Sequence, residues 1–244
     1  MSTNNTFAVR MAIDTPIEIN SLLHLDAILS FVMARRGRKA DNLPLAMSNG
    51  VWNASAALLE TGVYGAVRTE VSRIKSLICD HAWTELLGQR PAQKRIIGEM
   101  SPYRPQLKWH VRIDGVLAVW FVCEGDQSAV VNLLEDIEYL GALHTVGYGR
   151  RTSDVEVFPV SVPSPGGLVL ADGRPARAVP VRIWEGLSLP RHPAEIISKQ
   201  TWRPDYRDGR TEICVSPSQY DLTGVRSEIA GMFSMHVGLG CSFV

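Results

Sequence analysis

The sequence predicts an α+β protein: a ferredoxin-like βαββαβ unit carrying a basic insertion, followed by a small, mainly β extension. Three observations carry that expectation. Alternating and helical periodicities follow one another as strand, helix, probable strand, strand, helix, strand between residues 6 and 160. A stretch mixing charge with flat rings, about 60–112, interrupts the second and third strands. The run Val162-Pro163-Ser164-Pro165-Gly166-Gly167 then reads as a linker, which divides 1–160 from 168–244.

The elements follow in order. Residues 6–13 alternate as a strand should, and Asp14-Thr15-Pro16 breaks them. Leu22, Leu25, Ile28, Leu29, Val32 and Met33 recur at three- and four-residue steps, so a helix is expected over 21–36 with Asn20 or Ser21 as its cap. Its end carries the cluster Arg35-Arg36-Gly37-Arg38-Lys39, where cations complement the helix dipole. Residues 50–59 fit a strand or a short helix. Residues 116–123 form a nearly continuous apolar strand, 127–143 an amphipathic helix with Val130, Leu133, Leu134, Ile137 and Leu140 inward, and 154–160 another strand. Further strands are expected at 179–184, 212–215 and 235–244, with turns at Asp172-Gly173 and Asp208-Gly209. No fixed-period repeat is visible.

At 244 residues, 45% hydrophobic and 20% charged, the chain can bury a full core. Lys+Arg 25 against Asp+Glu 25 gives a formal net charge of +0, which excludes a histone-like polycation. A polyanionic partner must therefore be met by a local patch. The cysteines Cys79, Cys123, Cys214 and Cys241 form no CxxC or Cys/His cluster, so no zinc ribbon is expected and a reducing cytoplasm suits them. The start of the chain lacks the basic and apolar regions of a leader, and no apolar run approaches the roughly 20 residues that span a bilayer. A soluble, cytoplasmic protein with no membrane partner is expected.

The stretch from Ile137 to Arg151 says most about function. Gly147 and Gly149 allow positive φ and turn N–H groups outward, Arg150 and Arg151 hold their charge at any physiological pH, and Tyr148 offers a face for a base. A phosphate backbone would fit there, and so would a plain αβ connection with solvated arginines. The insertion leans the same way: Arg68, Arg73, Lys75, Arg90, Lys94, Arg95, Arg104 and Lys108 stand against Glu60, Glu70, Asp80, Glu85 and Glu99, interleaved with Tyr64, Tyr103 and Trp109. That mixture suits single-stranded nucleic acid, although a solvated excursion has the same composition. Glu135, Asp136 and Glu138 point in different helical directions and suggest no metal site, and no Gly-x-x-x-x-Gly-Lys-[Ser/Thr] run supports nucleotide hydrolysis. Neither a metal nor a cofactor is expected.

The opening Phe7-Ala8-Val9 strand, the helix start Leu23-His24-Leu25-Asp26-Ala27-Ile28-Leu29 and the segment Leu140-Gly141-Ala142-Leu143, continuing at Val146-Gly147-Tyr148-Gly149-Arg150-Arg151, resemble the RAMP superfamily of CRISPR-associated proteins. Within it they resemble the subunit that caps the crRNA 5′ handle in type IV effector complexes. The resemblance covers roughly 1–160; Thr152, Ser153 and Asp154 stand where the family often has a further glycine. It implies a ferredoxin-like or RRM-like fold, a helix 21–36 and glycine loop near the handle, and a thumb-like hairpin at 60–112 that divides guide from target. The implied partners are crRNA, the backbone and large subunits and, indirectly, target DNA.

The expected role is a non-catalytic RNA clamp in guide-directed DNA interference. Its candidate contacts are Gly147, Tyr148, Gly149, Arg150 and Arg151, then Arg35, Arg36 and Arg38, and in the insertion Arg68, Arg73, Lys94, Arg95, Tyr103, Arg104 and Lys108. Cleaving relatives use a general base near the 2′-OH, so a metal-independent endoribonuclease processing crRNA repeats is the alternative, with His24 or His144 as base and His110 weaker. A histidine near a helix start is more often a hydrogen-bonded structural residue. A module binding only protein or a small ligand is the third class, because this fold hosts many functions.

Overall fold

Strand β1 (Asn5–Ala12) is apolar on both sides: Phe7, Val9 and Met11 enter one buried cluster and Ala8 another. The same division runs through β6 (Gln106–Gly125), which sends Val119, Phe121 and Cys123 one way and Ala118, Trp120 and Val122 the other. A strand covered on both faces holds polar groups only where they are paired, as Arg10 and Glu60 are beside Trp120, and 116–123 is an unbroken apolar run. The computed structural model describes residues 5–19, 21–39, 42–74, 106–142, 145, 147–162, 165–187, 195–203, 211–217 and 223–224, with backbone alone at 63–65, 67, 69–74, 106–110 and 223–224.

The architecture is mixed α+β with mostly antiparallel pairing. The main sheet runs β11-β5-β6-β1-β7, where β5 is Leu58–Ile74, β7 is Glu156–Pro159 and β11 is Thr223–Gly224; the short β2 (Ile17–Glu18) also pairs with β6. β1 is antiparallel to both neighbours, with Phe7 opposite Cys123 and Ala8 opposite Phe158, while β11 runs parallel to β5. β5 and β6 continue outward as an antiparallel ribbon to Ile74 opposite Gln106, so the described flanks of the insertion are strand. Its middle, 75–105, lies outside the described residues. Residues 50–59 are extended rather than helical, but not one strand: β3 (Met47–Ser48) and β4 (Val51–Trp52) form a hairpin through Asn49 (φ 51°) and Gly50 (φ 81°), and β5 starts at Leu58.

Two helices cover one face of the sheet. α1 (Leu25–Arg35) buries Leu25, Ile28, Leu29, Val32 and Met33, and α2 (Gln127–Leu134) buries Val130, Leu133 and Leu134. α1 begins later than expected because the chain before it pairs with another segment: Ala57 N donates to Leu23 O at 2.8 Å and Leu25 N to Ser55 O at 3.1 Å. His24 takes the cap position without a side-chain cap bond, so Asn20 and Ser21 are not the cap. Asp126 caps α2 by accepting from Ala129 N at 3.0 Å. α2 ends at Leu134 rather than continuing to 143. Ile137 and Leu140 are nonetheless buried, from a turn whose backbone pairs with the 149–151 segment, so their helical spacing coincides with a different conformation.

The second face is covered by the segment after 165. Leu170 and Ala176 pack on Ala8, Leu58, Ala118, Trp120 and Val122. The glycines expected in a linker are instead points of close approach: a Cβ on Gly166 would lie 2.8 Å from the Thr6 side chain, and Gly167 (φ +84°) holds its backbone against Ala54. Residues 179–184 are only briefly strand. β8 (Val179–Pro180) gives way to α3 (Val181–Gly186), which buries Ile183 and Trp184, and a small sheet β8-β10-β9 follows, with β9 at Ile196–Gln200 and β10 at Glu212–Ser216. The expected strand at 235–244 and the Asp208-Gly209 turn lie outside the described residues. Arg177 locks this layer to α1: its guanidinium meets Asp26 at 3.0 Å with both side chains 0% exposed, and donates to the carbonyls of Trp52, Ala54 and Trp202. No helix among the described residues is long and apolar enough to cross a membrane.

Candidate nucleic-acid interface

The glycine turn lies where the end of β1, β2 and the segment after α2 converge. Gly147 and Gly149 have φ of +88° and +68°, as glycine spacing predicts for a turn that reverses sharply. They do different jobs. A Cβ on Gly147 would meet nothing, whereas one on Gly149 would sit 1.9 Å from Leu140 O; Gly149 also donates its N–H to Pro16 O at 2.8 Å. Gly149 is thus the seat of the turn and Gly147 its open side. Tyr148 is half-buried and its hydroxyl accepts from Arg112 on β6 at 3.4 Å, which joins the turn to the root of the β5–β6 ribbon.

The two arginines after the turn part company. Arg151 is 15% exposed, donates to Glu135 at 2.7 Å and to the Glu135 carbonyl at 3.0 Å, and so holds the end of α2. Burial works against ionised Glu135, yet the Val155 amide and Arg151 together keep its carboxyl below the usual range. Arg151 is therefore a structural tie, and the expectation that it presents charge to a phosphate gives way. Arg150 is 55% exposed and pairs only at the surface, its Nη2 and Nε donating to the two oxygens of Asp14, itself 40% exposed. The Arg150 bond lowers the Asp14 pKa, and the same bond raises that of Arg150.

Beside the turn runs a groove of about 510 Å³, formed by Leu23 just before α1, by Ala27, Phe31 and Arg35 on α1 and by residues 136–141 opposite. Phe31 is 50% exposed and Tyr139 37%, large values for aromatic rings. Tyr139 bridges to Arg150 through the backbone, so the groove ends at the glycine turn. At its other end Arg35 lies over the Phe31 ring, 5.7 Å from the centroid, and Arg38 and Lys39 are exposed. Arg36 is occupied: it donates to Asp136 at 2.7 Å and to Asn132 at 2.7 Å, and these bonds hold α1 to α2.

The remaining candidates fall into three places. Arg68 is exposed at the root of the ribbon and pairs with Asp114 at 2.9 Å, the same carboxylate that Arg112 meets at 2.8 Å. Arg73 and Lys108 lie on the ribbon backbone, β5 and β6, with side chains outside the description, while Lys94, Arg95, Tyr103, Arg104 and His144 lie outside the described residues. His24 is in the core, 2% exposed; burial first, and then the Arg177 charge, hold its pKa well below the ordinary value. An imidazole so placed reaches no substrate at the surface, which removes His24 as a general base.

Sequence reading missed Asp14, Phe31, Arg112 and Tyr139. For Phe31 the signal was present, since Ala27, Phe31 and Arg35 recur every fourth residue along one edge of α1, in step with Leu23 just before it. Nothing local marks Asp14 as the partner of a residue more than a hundred positions away. No protein-family model matches the chain, and a search of curated proteins finds no match either.

Proposed function

We propose that this chain is a non-catalytic RNA-binding subunit of a type IV CRISPR effector complex, which holds the 5′ handle of crRNA and supports assembly and guide-directed DNA interference. The observation that carries the reading is the groove between α1 and residues 136–141: two exposed rings, Phe31 and Tyr139, lie between a cationic end at Arg35, Arg38 and Lys39 and the glycine turn with Arg150. A single strand needs this combination, since bases stack on rings while phosphates seek cations. The reading draws support from the strand order β7-β1-β6-β5 with α1 and α2 on one face, which is compatible with a ferredoxin-like βαββαβ unit, and from the β5–β6 ribbon formed by the flanks of the insertion. Net charge +0 suits a subunit whose partners, besides crRNA, are the backbone and large subunits in the cytoplasm.

Fluorescence anisotropy with a short single-stranded RNA tests the reading. Phe31→Ala and Tyr139→Ala should each weaken binding by about 1–3 kcal/mol where a base stacks, and log K should fall with log salt at about −0.7 per phosphate neutralised. Unchanged affinity in both variants would remove the groove as the site. Repeat RNA incubated with the protein in EDTA should remain intact; discrete cleavage would replace the clamp with an endoribonuclease.

A further inference from the structure

We infer that Asp14 is a built-in competitor for phosphate at Arg150, so that RNA engages this end of the groove by displacing a carboxylate already seated on the guanidinium. The inference rests on the RNA-binding reading for its ligand and adds a residue that tunes the site. Its basis is the contrast among the arginine pairs near the groove. Arg151 and Arg36 are fixed by backbone carbonyls as well as carboxylates, at 3.0 Å to Glu135 O and 2.9 Å to Asn132 O, and are largely shielded. Arg150 donates from its guanidinium to Asp14 alone among the described residues, through Nε and Nη2 to the two carboxylate oxygens, with both side chains exposed. That two-pronged geometry is the one a guanidinium uses on a phosphodiester.

The turn does not need the ion pair to keep its shape. Arg150 N donates to Thr15 Oγ1 at 2.8 Å, Asp14 N donates to Arg150 O at 3.3 Å, and Gly149 N is held by Pro16 O. The backbone thus fixes where the guanidinium starts, and the side-chain pair decides only what occupies it. An exposed pair of this kind is weak, so a phosphate with neighbouring phosphates bound along the groove can replace the carboxylate, whereas an isolated anion competes on poorer terms. Asp14 would thereby favour a strand over a lone phosphate and set the salt dependence of the site.

The experiment compares Asp14→Asn, Arg150→Ala, the double variant and Asp172→Asn, the last a control that removes an exposed acid elsewhere, each titrated with a fluorescein-labelled single-stranded RNA over a range of NaCl. Asp14→Asn should tighten binding about two- to fivefold at low salt and steepen the salt slope by up to about 0.7. The gain should vanish in the Arg150→Ala background and be absent in Asp172→Asn. No gain in Asp14→Asn, or an equal gain without Arg150, overturns the inference. A second titration with inorganic pyrophosphate, followed at the arginine Nε–Hε resonances by NMR, separates the two proposals. If no form binds RNA, the RNA reading falls; the competitor stands if pyrophosphate perturbs Arg150 at lower concentration in Asp14→Asn than in wild type, and falls with it if the two titrations coincide.

Discussion

Where the C-terminal layer meets the start of α1, Arg177 and Asp26 pair with neither side chain touching water; at the glycine turn, Arg150 and Asp14 make the same kind of pair in the open. The chemistry is shared and the medium differs. In the dry site each ion has lost its hydration, so the guanidinium must satisfy itself on Asp26 and the carbonyls of Trp52, Ala54, Ala178 and Trp202, and nothing in that set can be exchanged. In the wet site water replaces either partner at little cost, so the pair contributes little to folding and its cation remains available to a ligand. One fold thus uses arginine as an internal bolt in a dry seam and as a replaceable contact at an open turn.

The comparison breaks most readily at the bolt. Arg177→Ala leaves Asp26 buried without its counter-ion and should lower stability by about 3–5 kcal/mol in urea denaturation, whereas Arg177→Met combined with Asp26→Leu should recover much of the loss. Recovery absent in the double variant would mean that the carbonyl bonds, not the ion pair, fix the layer.

Next in size is the turn itself. Gly149→Ala places a Cβ against Leu140 O at a positive φ and should cost about 1–3 kcal/mol, while Gly147→Ala, with open space around it, should cost visibly less. Equal losses would show that the two glycines do not divide the work as described.

The pH dependence sharpens the difference between the dry seam and the open turn. The pKa of His24 is lowered in the fold, so the unfolded chain takes up a proton first; stability from this group is complete above the ordinary value of 6.5 and declines as pH falls below it. Thermal or urea unfolding between pH 5 and 8 should show a slope of up to about 1.4 kcal/mol per pH unit on the acid side, flattened in His24→Gln. The smallest expected effect on stability belongs to Arg150→Ala, within about 0.5 kcal/mol of wild type, because its partner is hydrated. A large loss of stability there would turn the replaceable contact into another bolt.

Much of the sheet was legible because the signals are local. Two-sided burial wrote itself into 116–123 as an unbroken apolar run, and the fourfold and threefold steps of Leu25, Ile28, Leu29, Val32 and Met33 marked α1. The same logic overextended α2, since Ile137 and Leu140 keep helical spacing while lying in a turn tied to 149–151. In 162–167, Pro and Gly suggested a linker, yet Gly166 and Gly167 serve close packing against Thr6 and Ala54. The candidate site was half visible: the glycines and Arg150 stood out, while the groove did not, because it is formed by two segments that meet only after folding.

What the sequence determined by itself is β1, the apolar part of β6, β7 and β10, most of the first helix and the left-handed turn at Gly147 and Gly149, because periodicity and Cβ sterics act between near neighbours. Which arginine is locked, which is exposed, which histidine is sealed and where a groove opens were decided by tertiary structure alone. Asp14 with Arg150 and Asp26 with Arg177 lie 136 and 151 residues apart in the chain, and a charge takes its character from the partner and the water that folding leaves beside it.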